Sequence, residues 1–151
     1  MARVTFLIAV VVLAGCASGG ETDTRPVVAA WTADVEAMGA LGHSGFATVT
    51  VLPDGVTRAN LTLRGGSAGG HHPWSIREGL CPSGDSERAA AVGVEIGPAE
   101  AYPPLEPNDQ GNASATAVLN LQLDPDAEYH VDVYQSPQEL EVVGCGNLTS
   151  G

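Results

Sequence analysis

The chain has 151 residues and carries 18 acidic side chains against six basic ones, all six of them Arg, for a formal net charge of −12. That length accommodates one ordinary domain and not two. So acidic a chain with no basic cluster is repelled by phosphate backbones, which argues against nucleic-acid binding, and 44% hydrophobic with only 16% charged residues argues against wholesale disorder.

Met1, Ala2 and Arg3 give a short positive start, and Val4 to Ala14 are almost unbroken apolar. A permanent membrane helix needs about 20 such residues, so this run has instead the plan of a secretory signal. It ends in Leu13-Ala14-Gly15-Cys16, which resembles the bacterial lipobox. The resemblance implies removal of residues 1–15, a thioether from Cys16 to diacylglycerol and acylation of the new amine by a palmitate-type chain. The mature protein would then be held to a lipid bilayer by about 0.8 kcal/mol per buried methylene. An ordinary signal peptide with an incidental Cys16 is the alternative. Residue 17 is Ala, not the Asp that marks inner-membrane retention in enterobacterial lipoproteins. The implied location is therefore exported, lipid-anchored in the cell envelope, at the outer membrane or facing the periplasm. Residues 16–30 are small, polar and Pro-containing, and read as a lipidated tether ahead of a domain over 31–151.

Strand signals follow at short intervals. Residues 31–38 and 45–52 alternate apolar and polar side chains, and Pro53-Asp54-Gly55 supplies turn chemistry before a further strand over 56–63, which predicts a hairpin. Gly65 to Gly70 is a glycine-rich loop. Short strands are expected at 74–78, 90–96, 114–123, 129–135 and 140–143, with a Pro-rich loop at 97–112. About eight strands and no amphipathic helix predict an all-β sandwich or barrel of antiparallel strands.

With Cys16 lipidated, Cys81 and Cys145 remain. In an oxidising compartment a disulfide is the default, and closing so long a loop stabilises a fold by about 4 kcal/mol on the chain-entropy model. Two free thiols or a metal pair are the other readings, although two cysteines this far apart, with no Cys-x-x-Cys, make a poor metal signature.

The segment His72-Pro73-Trp74-Ser75-Ile76-Arg77-Glu78-Gly79-Leu80-Cys81 resembles the part of copper/zinc superoxide dismutases that reads aromatic-His-Val-His-Glu-x-Gly and then reaches a disulfide cysteine. Val142 to Leu148 resembles the end of that family, where Ala-Cys-Gly closes the same bridge. Tyr102 to Leu105 followed by Asn108 to Gly111 resembles its Gly-Asp-Leu-Pro and Asp-x-x-Gly loop, and Tyr129 to Tyr134 its strand with a further copper ligand. Superoxide-dismutase-like and chordin-repeat proteins carry a similar His-Pro-Trp segment. The resemblance covers most of residues 31–148. It implies a Greek-key β-sandwich of about eight antiparallel strands, with the Cys81–Cys145 bridge tying a long loop to the last strand.

The metal chemistry does not carry over. The copper His positions align with Ser75, Arg77 and Tyr134, and Arg can neither deprotonate nor ligate a cation. Residues 82–100 contain no His to match the zinc ligands, and the zinc Asp aligns near Ala101 beside Glu100. No metal or catalytic residue is transferred, and no cofactor is expected. His71 and His72 are the weak metal candidates, with His43 or His130 as helpers, but adjacent residues of an extended chain point to opposite faces. Exposed or loop-packed imidazoles are the plainer expectation. Arg77 and Glu78 form an ion pair or are simply exposed, and the sequence leaves both open. Asn108-Asp109 and Asp124 to Asp126 read as turns rather than a calcium loop. The resulting expectation is a membrane-anchored, non-catalytic lipoprotein with a binding or structural role and an unassigned protein or small-molecule partner. The alternatives are a superoxide dismutase, or a metal-handling protein, using copper or zinc with unusual ligands.

Overall fold

A computed structural model describes residues 26–41, 43–82 and 89–151. The expected leader, Cys16 and the expected tether up to residue 25 lie outside the described residues. Alternation governs the strands. In β1 (Ala29–Ala37), Trp31, Ala33 and Val35 turn inward, while Thr32, Asp34 and Glu36 face out. The same period places Ala47, Val49 and Val51 of β2 (Ser44–Val51) and Ala59, Leu61 and Leu63 of β3 (Thr57–Arg64) in one core. The expected hairpin joins β2 to β3. Gly55 takes a φ of 81°, its N–H donates to the Leu52 carbonyl at 2.9 Å, and the Val56 N–H donates to Asp54 Oδ1 at 3.2 Å.

The remaining strands are β4 (Trp74–Glu78), the two-residue β5 (Ala89–Ala90), β6 (Ala113–Leu119), β7 (Tyr129–Tyr134) and β8 (Glu141–Ser150). Seven of them pair antiparallel in the order β4-β7-β8-β1-β2-β3-β6, curling into a half-barrel, and β5 pairs with β8. The all-β, antiparallel expectation is thus met. From β3 the chain crosses to β4 at the far edge, returns to β6 beside β3, and crosses again to β7 beside β4. Among the described residues the helical content is two short 3₁₀ turns, Gly39–Leu41 and Ala99–Ala101, and no helix is long and apolar enough to cross a membrane.

Three boundaries differ from the sequence expectation for physical reasons. The run 90–96 leaves only Ala89–Ala90 as strand, with one further bridge from Glu95 to Arg77, because Val92 and Val94 are exposed and the local carbonyls serve the Arg77 side chain. β6 ends at Leu119 rather than 123, where the Thr57 hydroxyl captures the Leu121 carbonyl at 2.7 Å. β8 runs through Gly144-Cys145-Gly146 instead of stopping at 143. Those glycines are required by close passage under β1: a β-carbon at Gly146 would lie 2.6 Å from the Asp34 carbonyl oxygen.

The loop over 97–112 closes one end of the core. Tyr102 is buried edge-on to Trp74, with ring centroids 5.1 Å apart, and donates its hydroxyl proton to the Ile96 carbonyl at 2.5 Å. Trp74 Nε1 donates to the Pro103 carbonyl at 2.7 Å, and His72 and Leu105 exchange two backbone hydrogen bonds of 2.9 Å. The Asn108 side chain accepts from the Gln110 and Asn112 N–H groups, both at 3.0 Å, and Asp124 accepts from Asp126 at 2.9 Å, so both segments are turns.

Candidate functional site

The outer face of β4, β7 and β8 is polar and yet buried. Core-facing residues on β4 and β7 are Trp74, Ile76, Tyr129, Val131 and Val133, so strand alternation sends Ser75, Arg77, His130, Asp132 and Tyr134 to the opposite side. Register arranges them in rows: Ser75, Asp132 and Cys145 lie opposite one another across the three strands, as do Arg77, His130 and Asn147. The chain leaving β4 covers this face. Its Gly79 carbonyl accepts from His130 Nδ1 at 2.9 Å, and the Cys81 N–H donates to Asn147 Oδ1 at 2.7 Å. Cys81 is disulfide-bonded to Cys145, which fastens the segment to β8.

Ser75, Arg77 and Tyr134 meet on this face. The Ser75 and Tyr134 hydroxyls are 3.2 Å apart, and Arg77 Nη1 donates to the Tyr134 hydroxyl at 3.3 Å. The rest of the guanidinium is committed elsewhere. Nε donates to the Val92 carbonyl at 2.8 Å, Nη2 to the Gly93 carbonyl at 2.6 Å, and Nη1 lies 3.6 Å from Glu95 Oε2. The ion-pair partner of Arg77 is therefore Glu95. Burial pushes the Tyr134 phenol up from its ordinary pKa, so it stays a neutral hydroxyl near neutral pH. Neutral hydroxyls and a permanent cation do not fit copper or zinc.

His130 and Asp132 sit beside that cluster with no exposed side-chain surface, Nε2 to Oδ2 being 3.5 Å. That is too long for a strong hydrogen bond, and His130 Nε2 and both Asp132 oxygens have no hydrogen-bond partner. Burial disfavours charge on the His130 ring, but the Asp132 carboxylate and the Gly79 carbonyl outweigh burial and the opposing Arg77, so its pKa is raised. One ligand-type atom from each of His130, Asp132 and Cys145 lies within 4.8 Å of the others.

Of the histidines, expected to be exposed or loop-packed, His71 is exposed and His43, His72 and His130 are buried. The cause is the loop at 97–112 and the segment after β4, which cover strand faces that alternation alone leaves open. His71 and His72 diverge as neighbours in an extended chain do. His71 is exposed and 3.2 Å from Glu106, whereas His72 stacks edge-on against His43, with ring centroids 4.6 Å apart, and donates from Nδ1 to the Tyr134 carbonyl at 3.2 Å. Burial, with smaller contributions from His43 and His71, holds the His72 pKa below its ordinary value.

Sequence reasoning passed over Asp132 and its pairing with His130. The signal was present in Tyr129 to Tyr134, where three polar side chains recur at every second residue on a strand whose other face is apolar. No protein-family model matches the chain, and no curated protein is similar to it. The resemblance to copper/zinc superoxide dismutases therefore rests on the motif residues alone.

Proposed function

We propose that the chain is an exported envelope lipoprotein, anchored through acylated Cys16, whose domain is a Greek-key β-sandwich of the superoxide-dismutase type that serves a binding or structural role without catalysing dismutation. One observation carries this reading. The three residues aligned with copper ligands come together, as that alignment requires, but they form a hydrogen-bonded clamp around a guanidinium. The double crossing of the sheet between β3 and β7 is what a Greek-key connection would produce. The acidic composition favours solubility and opposes approach of an anion such as superoxide.

The test uses the purified chain, loaded with copper, dialysed against a chelator and assayed for superoxide dismutation. No stoichiometric copper and no activity above that of buffer copper are expected; tight copper at one equivalent with activity would overturn the reading. In bacterial cells, labelled palmitate should enter the wild-type chain and not a Cys16→Ser variant. Equal labelling of both would remove the anchor from the proposal.

A further inference from the structure

We propose that reduction of the Cys81–Cys145 disulfide creates a transition-metal site in which His130 Nε2, the Asp132 carboxylate and the two cysteine thiolates hold one zinc-like divalent ion. The site lies outside the Ser75, Arg77 and Tyr134 cluster and does not depend on the function proposed above.

The ligands are already aimed. A carbonyl can only accept, so the 2.9 Å contact of His130 Nδ1 with the Gly79 carbonyl puts a proton on Nδ1 and points Nε2 into the protein. Donation of the second ring nitrogen to a backbone carbonyl is how metal-binding imidazoles are commonly oriented. Both oxygens of Asp132 are buried without hydrogen-bond partners, an arrangement that is costly unless a cation or proton compensates it. Asp132 is also the direct cross-strand neighbour of Cys145, whose sulfur belongs to the same 4.8 Å cluster. Cys81 brings the fourth donor because its sulfur is bonded to that of Cys145.

Oxidation state decides whether the site exists. In the disulfide the sulfurs carry no charge and are weak ligands, and the His130–Asp132 ion pair compensates the carboxylate alone. A dithiol reductant supplies two electrons and two protons, the S–S bond breaks, and the reductant becomes a disulfide. On metal binding two metal–sulfur bonds replace two S–H bonds and a metal–nitrogen bond replaces the Nε2–H of the His130 imidazolium, and all three protons pass to solvent. One nitrogen, one carboxylate and two thiolates suit tetrahedral zinc and supply too few oxygens for calcium or magnesium. The two cysteines are the approachable side of the cluster: Cys81 and Cys145 line an outer groove of about 350 Å³ together with Asp34 and Glu36.

The probe is Co²⁺, titrated into the full chain carrying Cys16→Ser so that only Cys81 and Cys145 supply thiols. The reduced protein should bind one Co²⁺, with thiolate-to-cobalt charge-transfer absorption and the intense visible bands of a tetrahedral site, and the oxidised protein should show neither. Asp132→Asn and His130→Gln should each weaken binding at least about tenfold in the reduced chain. Absence of the thiolate bands, equal binding by the oxidised protein, or unchanged affinity in both variants would overturn the proposal. The two variants decide the matter even if the reduced chain unfolds before metal is added. Cysteines in an unfolded chain would bind Co²⁺ without regard to Asp132 or His130.

Discussion

The Arg77 guanidinium reaches the Tyr134 hydroxyl at 3.3 Å while its other nitrogens hold the carbonyls of Val92 and Gly93. One side chain thereby joins β4, β7 and the loop that covers them. Arg77→Ala would leave those carbonyls and the half-buried Glu95 without their donor. We expect it to lower stability by about 2–3 kcal/mol, measured by denaturant unfolding. Arg77→Lys should recover less than half of the loss, because one ammonium cannot meet acceptors that diverge around a planar fork. A loss under about 0.5 kcal/mol for Arg77→Ala would show that the clamp is dispensable.

The convergence of Ser75, Arg77 and Tyr134 also makes the proposed alignment with copper ligands testable by gain of function. Three imidazoles on this backbone would form a copper site of ordinary chemistry. The triple variant Ser75→His, Arg77→His and Tyr134→His should retain copper through gel filtration, where the wild type does not. Circular dichroism establishes that the variant is folded. A folded triple variant with no more copper than wild type would mean that the three positions do not have the geometry the resemblance implies.

Much of the fold is legible in local pattern. The alternation in Trp31 to Val35 and Ala47 to Val51 fixes which faces meet, and Pro53-Asp54-Gly55 fixes the register of the strands it joins. What escapes local reading is the covering of a second face. Period-two alternation places Ser75, Arg77, His130 and Asp132 on the face away from the core, and it cannot say that a loop from elsewhere will lie over them. The glycines of β8 mislead in the same way. Gly144 and Gly146 look like a strand ending, and only the close passage of β8 beside β1 explains why side chains are disfavoured there, a β-carbon at Gly146 falling 2.6 Å from the Asp34 carbonyl oxygen.

The disulfide closes a sequence separation of 64 residues. A loop of that size, cross-linked in the unfolded chain, contributes about 4 kcal/mol on the chain-entropy model. Reduction with a chelator present, so that no metal substitutes for the bridge, should lower the urea midpoint by that amount divided by the m-value. The slope itself is expected to rise on reduction, because the cross-linked denatured state is the more compact one and exposes less surface. A midpoint shift equivalent to less than about 1 kcal/mol would mean that the covering segment is held by Arg77, Gly79 and Asn147 without help from the bridge.

His72 should make the fold sensitive to acid. Its pKa is depressed in the folded protein by burial, with His43 and His71 adding to the effect and the carbonyls of Tyr134 and Gln135 opposing it. A depressed folded-state value means that protonation favours the unfolded chain. The contribution is therefore complete above the unfolded-state value of 6.5 and is lost as pH falls through the lower folded-state value. The charge would arise on a ring packed edge-on against His43, with Nδ1 already committed to the Tyr134 carbonyl. The wild-type thermal midpoint should consequently drop between pH 6.5 and pH 5 by more than that of His72→Gln. The uncharged amide retains a donor for the carbonyl but cannot titrate, so subtracting its profile removes the contributions of His130 and the carboxylates common to both proteins. Parallel profiles for the two proteins over that interval would show that His72 takes up its proton without cost, and the edge-on pair would then have no part in acid sensitivity.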